Sequence, residues 1–416
     1  MTIATSLPDN VHRPFADAAE GRGIAASFDV ETAVERLAAE LAATAVERDR
    51  AGGHAAHERR LIRDSGLLAL TIPTRYGGLG ADWPTLYRVV RRLAQVDSAL
   101  AHVFGFHHLQ IASVLLYGNE AQQARLLRRT TVHETFWGNA LNPLDDRLRA
   151  LPVPGGWRLD GVKSFASGAL GSDQLMLSAH VAESDGSAGA LLIGTVPTRS
   201  PGITVNEDWD SFGQRQTDSG TVRFVHTFLT DEDVLQPPGF VPTPRGTLRT
   251  LVSQLVMSNL YLGIAIGALD AARRHLLESG RPWLLSGVQQ VSDDPFVLHR
   301  FGELALLIRP ARLSADDAAA RLQRAVDAGP LLDAGRRGDV AIAVAEAKVL
   351  AHRASIEVSS QLFELTGARS TSARFGLDRF WRNARVHTLH DPVDYKIRDI
   401  GRHALTDRVP DPTPYS

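Results

Sequence analysis

Trp157-Arg158-Leu159-Asp160-Gly161-Val162-Lys163-Ser164-Phe165-Ala166-Ser167-Gly168 lies where the character of the chain changes. A short apolar run stops at Asp160-Gly161. The same texture, brief apolar runs broken by Gly, Pro, Asp and Ser, recurs at Leu175-Met176-Leu177, Ala190 to Val196 and Thr221 to Phe228. These read as strands of a central β-domain over 131–240. Upstream, Asp29 is placed to cap a helix whose Val30, Val34, Leu37 and Leu41 recur on one stripe. Thr85 is placed to cap a second, with Leu86, Val89, Val90, Leu93 and Val96 inward, and the apolar stretch from Ala99 to Leu116 reads as a buried helix after Asp97-Ser98. Residues 1–28 read as an arm and 29–130 as a helical domain. Downstream, helical patterns cover 245–280, 294–327, 339–366 and 392–404 within a carboxy-terminal region 241–416, with Pro310 set to kink or split one of them. The fold class is therefore mainly α with a central β-domain.

Composition narrows the partners. The 416 residues carry 45 basic and 47 acidic side chains, a formal charge of -2, which gives no electrostatic reason to expect nucleic acid or a membrane surface. No apolar run is expected to reach the roughly 20 residues of a bilayer span, and the amino terminus has no basic start followed by an apolar stretch, so the expected location is the cytoplasm. With no cysteine, thiolate nucleophiles and cysteine-ligated metals are excluded, and redox chemistry must come from a bound cofactor. No G-x-G-x-x-G opens a helix after a strand: Gly21-Arg22-Gly23 falls in the arm and Gly78-Leu79-Gly80 lacks the third glycine. P-loop, H-E-x-x-H and G-x-S-x-G motifs are also missing. No metal site is expected.

Three stretches carry a resemblance: Gly66-Leu67-Leu68 through Pro73-x-x-Tyr76-Gly77-Gly78-x-Gly80, the Leu159–Gly168 segment, and Asp378-Arg379-Phe380-Trp381-Arg382-Asn383 through His387-Thr388-Leu389-His390-Asp391-Pro392-Val393. With Arg215 to Gly220, Gly263 to Ala272 and Arg281-Pro282-Trp283, they make the chain similar from about residue 30 to 405 to the acyl-CoA dehydrogenase superfamily, within it to the flavin-dependent monooxygenase branch that includes the dibenzothiophene monooxygenases. The resemblance implies a helical amino-terminal domain, a β-barrel-like middle domain and a carboxy-terminal four-helix bundle, assembled as a homotetramer. It also implies reduced FMN and molecular oxygen as cofactors, with FAD the alternative. An NAD(P)H-dependent flavin reductase would supply the reduced FMN, and oxygen would reach a small, sulfur-containing substrate through a flavin C4a-hydroperoxide.

Dehydrogenation needs a carboxylate base, which the superfamily keeps at one of two places. At the first, ordinarily Glu-Gly, this chain has His390-Asp391; at the second, near Ser253, no acidic residue occurs between Asp233 and Asp270. If helical, Asp391 would point about 100° away from its neighbour. The resemblance instead gives His390 the role of assisting the peroxide, a task that suits a side chain titrating near working pH; an ordinary hydrogen-bonded His387/His390 pair is the alternative. By the same resemblance Ser167 and Asn139 meet the flavin ring as catalytic and cofactor-binding groups, His387, Asp391, Trp209 and Arg281 hold the cofactor, and His102 acts in catalysis at the substrate pocket. Arg281 would sit near the phosphate, which its fork can engage bidentately. Where dibenzothiophene-oxidising members carry Tyr, this chain has Phe106, so one phenolic donor is lost; His107 is placed in the same pocket as a replacement, with surface polarity the alternative for His107 and His108. Oxygenation of nitrogen or aromatic carbon, and an FAD-dependent acyl-CoA dehydrogenase, stay open as rival activities.

Overall fold

The computed structural model describes residues 28–185 and 187–416, so the expected arm, with its Gly21-Arg22-Gly23, lies outside the described residues apart from Phe28. Five helices come first: α1 (Val30–Ala51), α2 (Ala56–Asp64), α3 (Trp83–Ala94), α4 (Ser98–Tyr117) and α5 (Glu120–His133). Asp29 caps α1, its Oδ1 accepting from the Glu31 and Thr32 N–H groups at 3.1 and 3.2 Å, an arrangement that contributes about 1 kcal/mol. Thr85 does not cap α3. Asp82 does, accepting from the Thr85 N–H at 2.8 Å, and Pro84 takes the first turn, where its missing N–H costs nothing. Asp97 caps α4 through the Leu100 N–H at 3.0 Å.

The central strands are β1 (Trp137–Ala140), β2 (Arg149–Val153), β3 (Gly156–Lys163), β4 (Gln174–Ala182), β5 (Ala188–Pro197), β6 (Ile203–Val205), β7 (Val222–Thr230) and β8 (Val234–Gln236). They form one mixed sheet in the order β6-β7-β3-β2-β4-β5-β8, with β1 alongside β4. Leu159, Leu175, Leu177, Leu192, Val196 and Phe224 fill one side. The register of β3 against β7 shifts between Leu159 and Gly161. Gly161 has φ +140°, and a Cβ there would lie 2.1 Å from the Arg147 carbonyl oxygen, so this bulge admits only glycine. The strand then ends in the Ser164–Gly168 turn.

Five further helices follow: α6 (Leu248–Ser279), α7 (Pro295–Asp327), α8 (Ala334–Thr366), α9 (Asp378–Thr388) and α10 (Val393–Thr406). α6, α7 and α8 lie against one another and α10 lies on α8, giving the expected bundle. Contrary to expectation, α7 runs unbroken through Pro310. The proline is exposed, while Leu304, Ala311, Ala315 and Ala318 are buried against the bundle, and that packing outweighs one lost hydrogen bond. α8 starts earlier than 339 because Asp333 caps it through the Arg336 N–H at 2.8 Å; Gly335 and Gly338 mask its first turns in the sequence. A second correction concerns hydropathy. α4 and α6 are each long and apolar enough to cross a bilayer, but 89% of the relevant window of each is buried inside the fold, as befits interior helices.

The bundle meets the amino-terminal helices at a close contact: a Cβ on Gly267 of α6 would lie 2.1 Å from the Gln95 carbonyl oxygen just after α3. Gly267→Ala should therefore destabilise the protein by about 1–3 kcal/mol in urea unfolding. Gly302→Ala in α7, where nothing lies within 4 Å, should stabilise it by up to about 1 kcal/mol.

Candidate active site

A cavity of about 490 Å³ opens between α4, β1, the Ser164–Gly168 turn, the 209–219 segment, the first turns of α6 and the end of α9. That volume is in the range of ordinary small-molecule sites. α4 supplies one wall. His102, Phe106, Gln110 and Ser113 fall at i, i+4, i+8 and i+11, a single stripe of the helix. His102 and Phe106 reach the cavity, their rings stacked with centroids 4.0 Å apart.

His102 Nδ1 lies 2.5 Å from His387 Nε2, so one of the two imidazoles donates to the other. Burial pulls His102 down to about 3 and holds His387 far below its ordinary value, which keeps both neutral. The Tyr261 hydroxyl donates to the His387 carbonyl at 2.9 Å and fixes the ring's backbone. His102 Nε2 and His387 Nδ1 have no partner, although both are buried. One of these two orphaned atoms carries a proton and the other a lone pair, whichever tautomer is taken.

On the opposite side, β1 and the turn after β3 are tied by the Asn139 N–H, which donates to the Ser167 carbonyl at 3.0 Å. Asn139 Oδ1 accepts from Gln110 Nε2 at 3.1 Å, leaving its amide N–H groups for the cavity. Ser167 Oγ and Thr217 Oγ1 each lie 2.8 Å from Ser219 Oγ, a chain of hydroxyls along the rim. Trp209 donates to the Gln214 carbonyl at 2.9 Å and meets Phe165 edge to face. Phe165 and Gln214 both line the cavity with positive φ, 55° and 52°, a conformation held by the bonds around it.

The third wall holds His390. Its Nδ1 bonds Asp391 Oδ1 at 3.0 Å, and Asp391 in turn is ion-paired with Lys348 of α8, which also donates to Gln254 Oε1. Desolvation alone would raise the Asp391 carboxyl, but the bonds from His390 and Lys348 hold it well below the ordinary range; burial brings Lys348 down to about 8. His390 and Asp391 sit in a turn between α9 and α10 rather than on a helix, and they part ways there: the histidine lines the cavity and the carboxylate is buried behind it. Tyr415 stands edge-on to His390 at 5.8 Å.

Three expected site residues are not brought into this cavity. Arg281 is exposed in the 280–290 segment after α6. Asp391 points into the protein. His107 is fully buried on the far side of α4, its Nε2 donating to the Leu68 carbonyl at 2.9 Å and its Nδ1 accepting from the Trp137 N–H at 3.2 Å, so it has no donor left to replace a phenol. His108 is spent in the same way on Leu67 and Thr71. Gln110, Arg249, Gln214 and Lys348 were not singled out in the sequence; the signal for Arg249 was a basic residue in a helix start with no acid nearby.

Comparison with known proteins gives the family of the chain. Residues 29–134 match the acyl-CoA dehydrogenase N-terminal domain and 255–395 the C-terminal domain. A Pseudomonas putida protein named "Probable FMNH2-dependent monooxygenase SfnC" is 46% identical, over 91% of this chain and 95% of its own length. Dibenzothiophene monooxygenase of Rhodococcus erythropolis is 42% identical over 93% and 96%. The structure of methanesulfinate monooxygenase MsuC from Pseudomonas fluorescens superimposes with a TM-score of 0.91 and 47% identity, covering 94% of this chain and all of that one. The chain belongs to the flavin-dependent monooxygenase branch of the acyl-CoA dehydrogenase family.

The residues present fit the flavin of such a monooxygenase. A flavin ring needs donors and acceptors along one edge and an apolar surface for the rest. Here the orphaned His102 Nε2 and His387 Nδ1, the Asn139 amide and the Ser167 hydroxyl provide the first, and Phe106, Leu109, Leu141, Phe165 and Ile193 the second.

Two predictions arise from the buried charges and rings. Lys348→Met leaves the Asp391 carboxylate buried and without its cation, and should cost about 3–5 kcal/mol in urea unfolding; adding Asp391→Leu should recover most of that loss. For the histidines, the unfolded chain titrates near pH 6.5, whereas burial holds His102 and His107 at about 3 and about 4 in the folded protein. Protons therefore bind the unfolded chain first. The stability these rings contribute is complete above about pH 7 and falls as the pH drops below 6.5, by up to about 1.4 kcal/mol per pH unit for each buried histidine. Unfolding midpoints between pH 7.5 and 5.5 should show this slope, and His107→Gln should make it shallower.

Proposed function

We propose that this protein is a reduced-FMN-dependent monooxygenase that places one atom of molecular oxygen on the sulfur of a small substrate. The observation that carries the reading is that no carboxylate faces the cavity among the described residues: its titratable lining is His102, His387, His390, Arg249 and the tyrosines Tyr117 and Tyr415. Abstraction of a proton from carbon, on which acyl-CoA dehydrogenation depends, has no carboxylate base here, and that counts against the rival activity. Bound FMNH2 would supply the two electrons that activate dioxygen. Asn139 and Ser167 would hold the ring edge, and the His102/His387 pair would present one donor and one acceptor without introducing a charge. His390, its Nδ1–H directed at Asp391, would keep Nε2 as the atom that takes and returns a proton at the reacting centre. The apolar wall would exclude water.

The same reading assigns the remaining parts. A separate NAD(P)H-dependent reductase delivers the reduced flavin, consistent with a chain that carries no dinucleotide fingerprint, and we place both in the cytoplasm, where the nicotinamide pool drives the reductase. A homotetramer accounts for the apolar side chains that the single chain leaves exposed beside Arg281, namely Trp283, Leu284 and Leu285, and on α7, Phe296 and Leu306. In such an assembly Arg281 would reach a flavin phosphate across a subunit boundary.

The test is turnover with FMN, a flavin reductase and NADH under ¹⁸O₂, with sulfides, sulfinates, amines and indoles supplied in turn. Label should appear on sulfur, and His390→Ala should lower product formation by on the order of 100-fold while flavin oxidation continues with release of hydrogen peroxide. Anaerobic reduction of bound flavin by an acyl-CoA would overturn the reading.

A further inference from the structure

Among the described residues the cavity is lined by one permanently charged side chain, and no described carboxylate pairs with it. Arg249, in the first turn of α6, is 9% exposed and lines the cavity. Its Nε donates to Ser113 Oγ at 2.6 Å and its Nη2 to Gln110 Oε1 at 3.5 Å, both neutral acceptors. Burial lowers its pKa, and the only charge that acts the other way is the Tyr117 phenol. Arg245 lies one turn before it, likewise without a carboxylate partner, and the positive end of the α6 dipole points the same way. A cation buried at a helix start among neutral acceptors is a standing cost that a neutral side chain of similar length would remove. Thr250 and Ser253, on the same face of α6, line the cavity next to it, and neither hydroxyl has a hydrogen-bond partner among the described residues.

We propose that Arg249, with the hydroxyls of Thr250 and Ser253, receives an oxyanion of the substrate, so that the molecule oxygenated is an organosulfur anion, of which an alkanesulfinate is the simplest, and not a neutral sulfide or aromatic heterocycle. This deepens the oxygenase reading and rests on it for the fate of the bound anion. A guanidinium fork pairs with two oxygens on one centre, and a sulfinate offers both while its sulfur keeps a lone pair. The reaction balances as RSO2⁻ + O2 + FMNH2 → RSO3⁻ + FMN + H2O: the sulfur lone pair forms the new S–O bond, the O–O bond breaks, and the second oxygen leaves as water with the two protons and two electrons of the reduced flavin. A sulfonate has no such lone pair and would bind without reacting at sulfur. The flavin phosphate is the other anion at hand. It sits a ribityl chain away from the ring, however, and Arg249 is joined through a single amide, Gln110, to Asn139, the residue assigned to the ring edge.

Calorimetric titration of sodium methanesulfinate into the FMN-loaded protein tests the assignment, with dimethyl sulfoxide and dibenzothiophene as neutral probes and FMN affinity measured in parallel. Arg249→Met should weaken methanesulfinate binding by on the order of 10- to 100-fold, Arg249→Lys should retain part of it, and FMN affinity should not change. The unfolding midpoint of Arg249→Met should equal or exceed that of the parent, since an uncompensated charge has been removed; a merely structural arginine would give the opposite sign. Equal methanesulfinate binding by the parent protein and Arg249→Met would overturn the proposal, as would loss of FMN binding instead, or a parent protein that binds the neutral probes as tightly as the anion. Oxygenation of dibenzothiophene but not methanesulfinate would refute the anion site and leave the oxygenase reading standing. Arginine-dependent sulfinate binding without oxygenation of any probe would do the reverse.

Discussion

Because α4 is enclosed on every side, each polar group along it must be satisfied by the protein or by whatever fills the cavity. The helix divides its polar residues accordingly. His107 and His108 turn away from the cavity and spend their ring nitrogens on the carbonyls of Leu68 and Leu67, which ties down the loop that runs on to Tyr76-Gly77-Gly78. His102, Gln110 and Ser113 turn the other way, and there the accounts do not close within the protein: His102 Nε2 is left over, and Gln110 and Ser113 are engaged in orienting Asn139 and Arg249. One helix thus anchors the scaffold with one face and builds the site with the other.

The direction taken by two adjacent side chains decides which chemistry the fold supports. In the turn between α9 and α10, His390 enters the cavity while Asp391 faces Lys348. Were the order of the two reversed, a carboxylate would face the cavity. Lys348 enforces the choice, since a carboxylate so deeply buried must stay beside its cation. The ion pair therefore acts on the site without entering it: it removes the one acid from the cavity wall and gives His390 Nδ1 a fixed acceptor.

Much of this was legible in the sequence where a single physical rule dominates. The stripes of α1 and α3, the cap at Asp29, and the apolar length of α4 follow from burial and backbone satisfaction. The strands β1, β2, β6 and β8 were not legible, because runs of three to five residues hold too few alternations to stand apart from loops. Thr85 looked like a cap, yet Asp82, three residues earlier, had the same side-chain chemistry and a proline placed to follow it. Pro310 and His107 failed for one shared reason: tertiary packing, invisible in local spacing, holds the first inside a helix and consumes both nitrogens of the second. Arg281 is exposed and outside the cavity, so its expected place at the cofactor has no local signal beyond the resemblance.

Arg249 carries no motif of its own, and its signal lies in what surrounds it in the sequence. Between Asp233 and Asp270 the chain carries no acid, which leaves dehydrogenation without its base. The same emptiness leaves Arg245 and Arg249 with no local counter-charge at the start of a helix that is otherwise apolar. In the folded protein the effect is reinforced, because His102 and His387 are held neutral by burial. Had His102 been protonated, two cations in one poorly solvated cavity would repel by several kcal/mol, on the order of 4 kcal/mol at 4 Å for an effective dielectric constant near 20. Keeping His102 and His387 uncharged leaves Arg249 on the α6 wall without a neighbouring cation on the α4 side, and it is there that an anion entering the cavity is drawn.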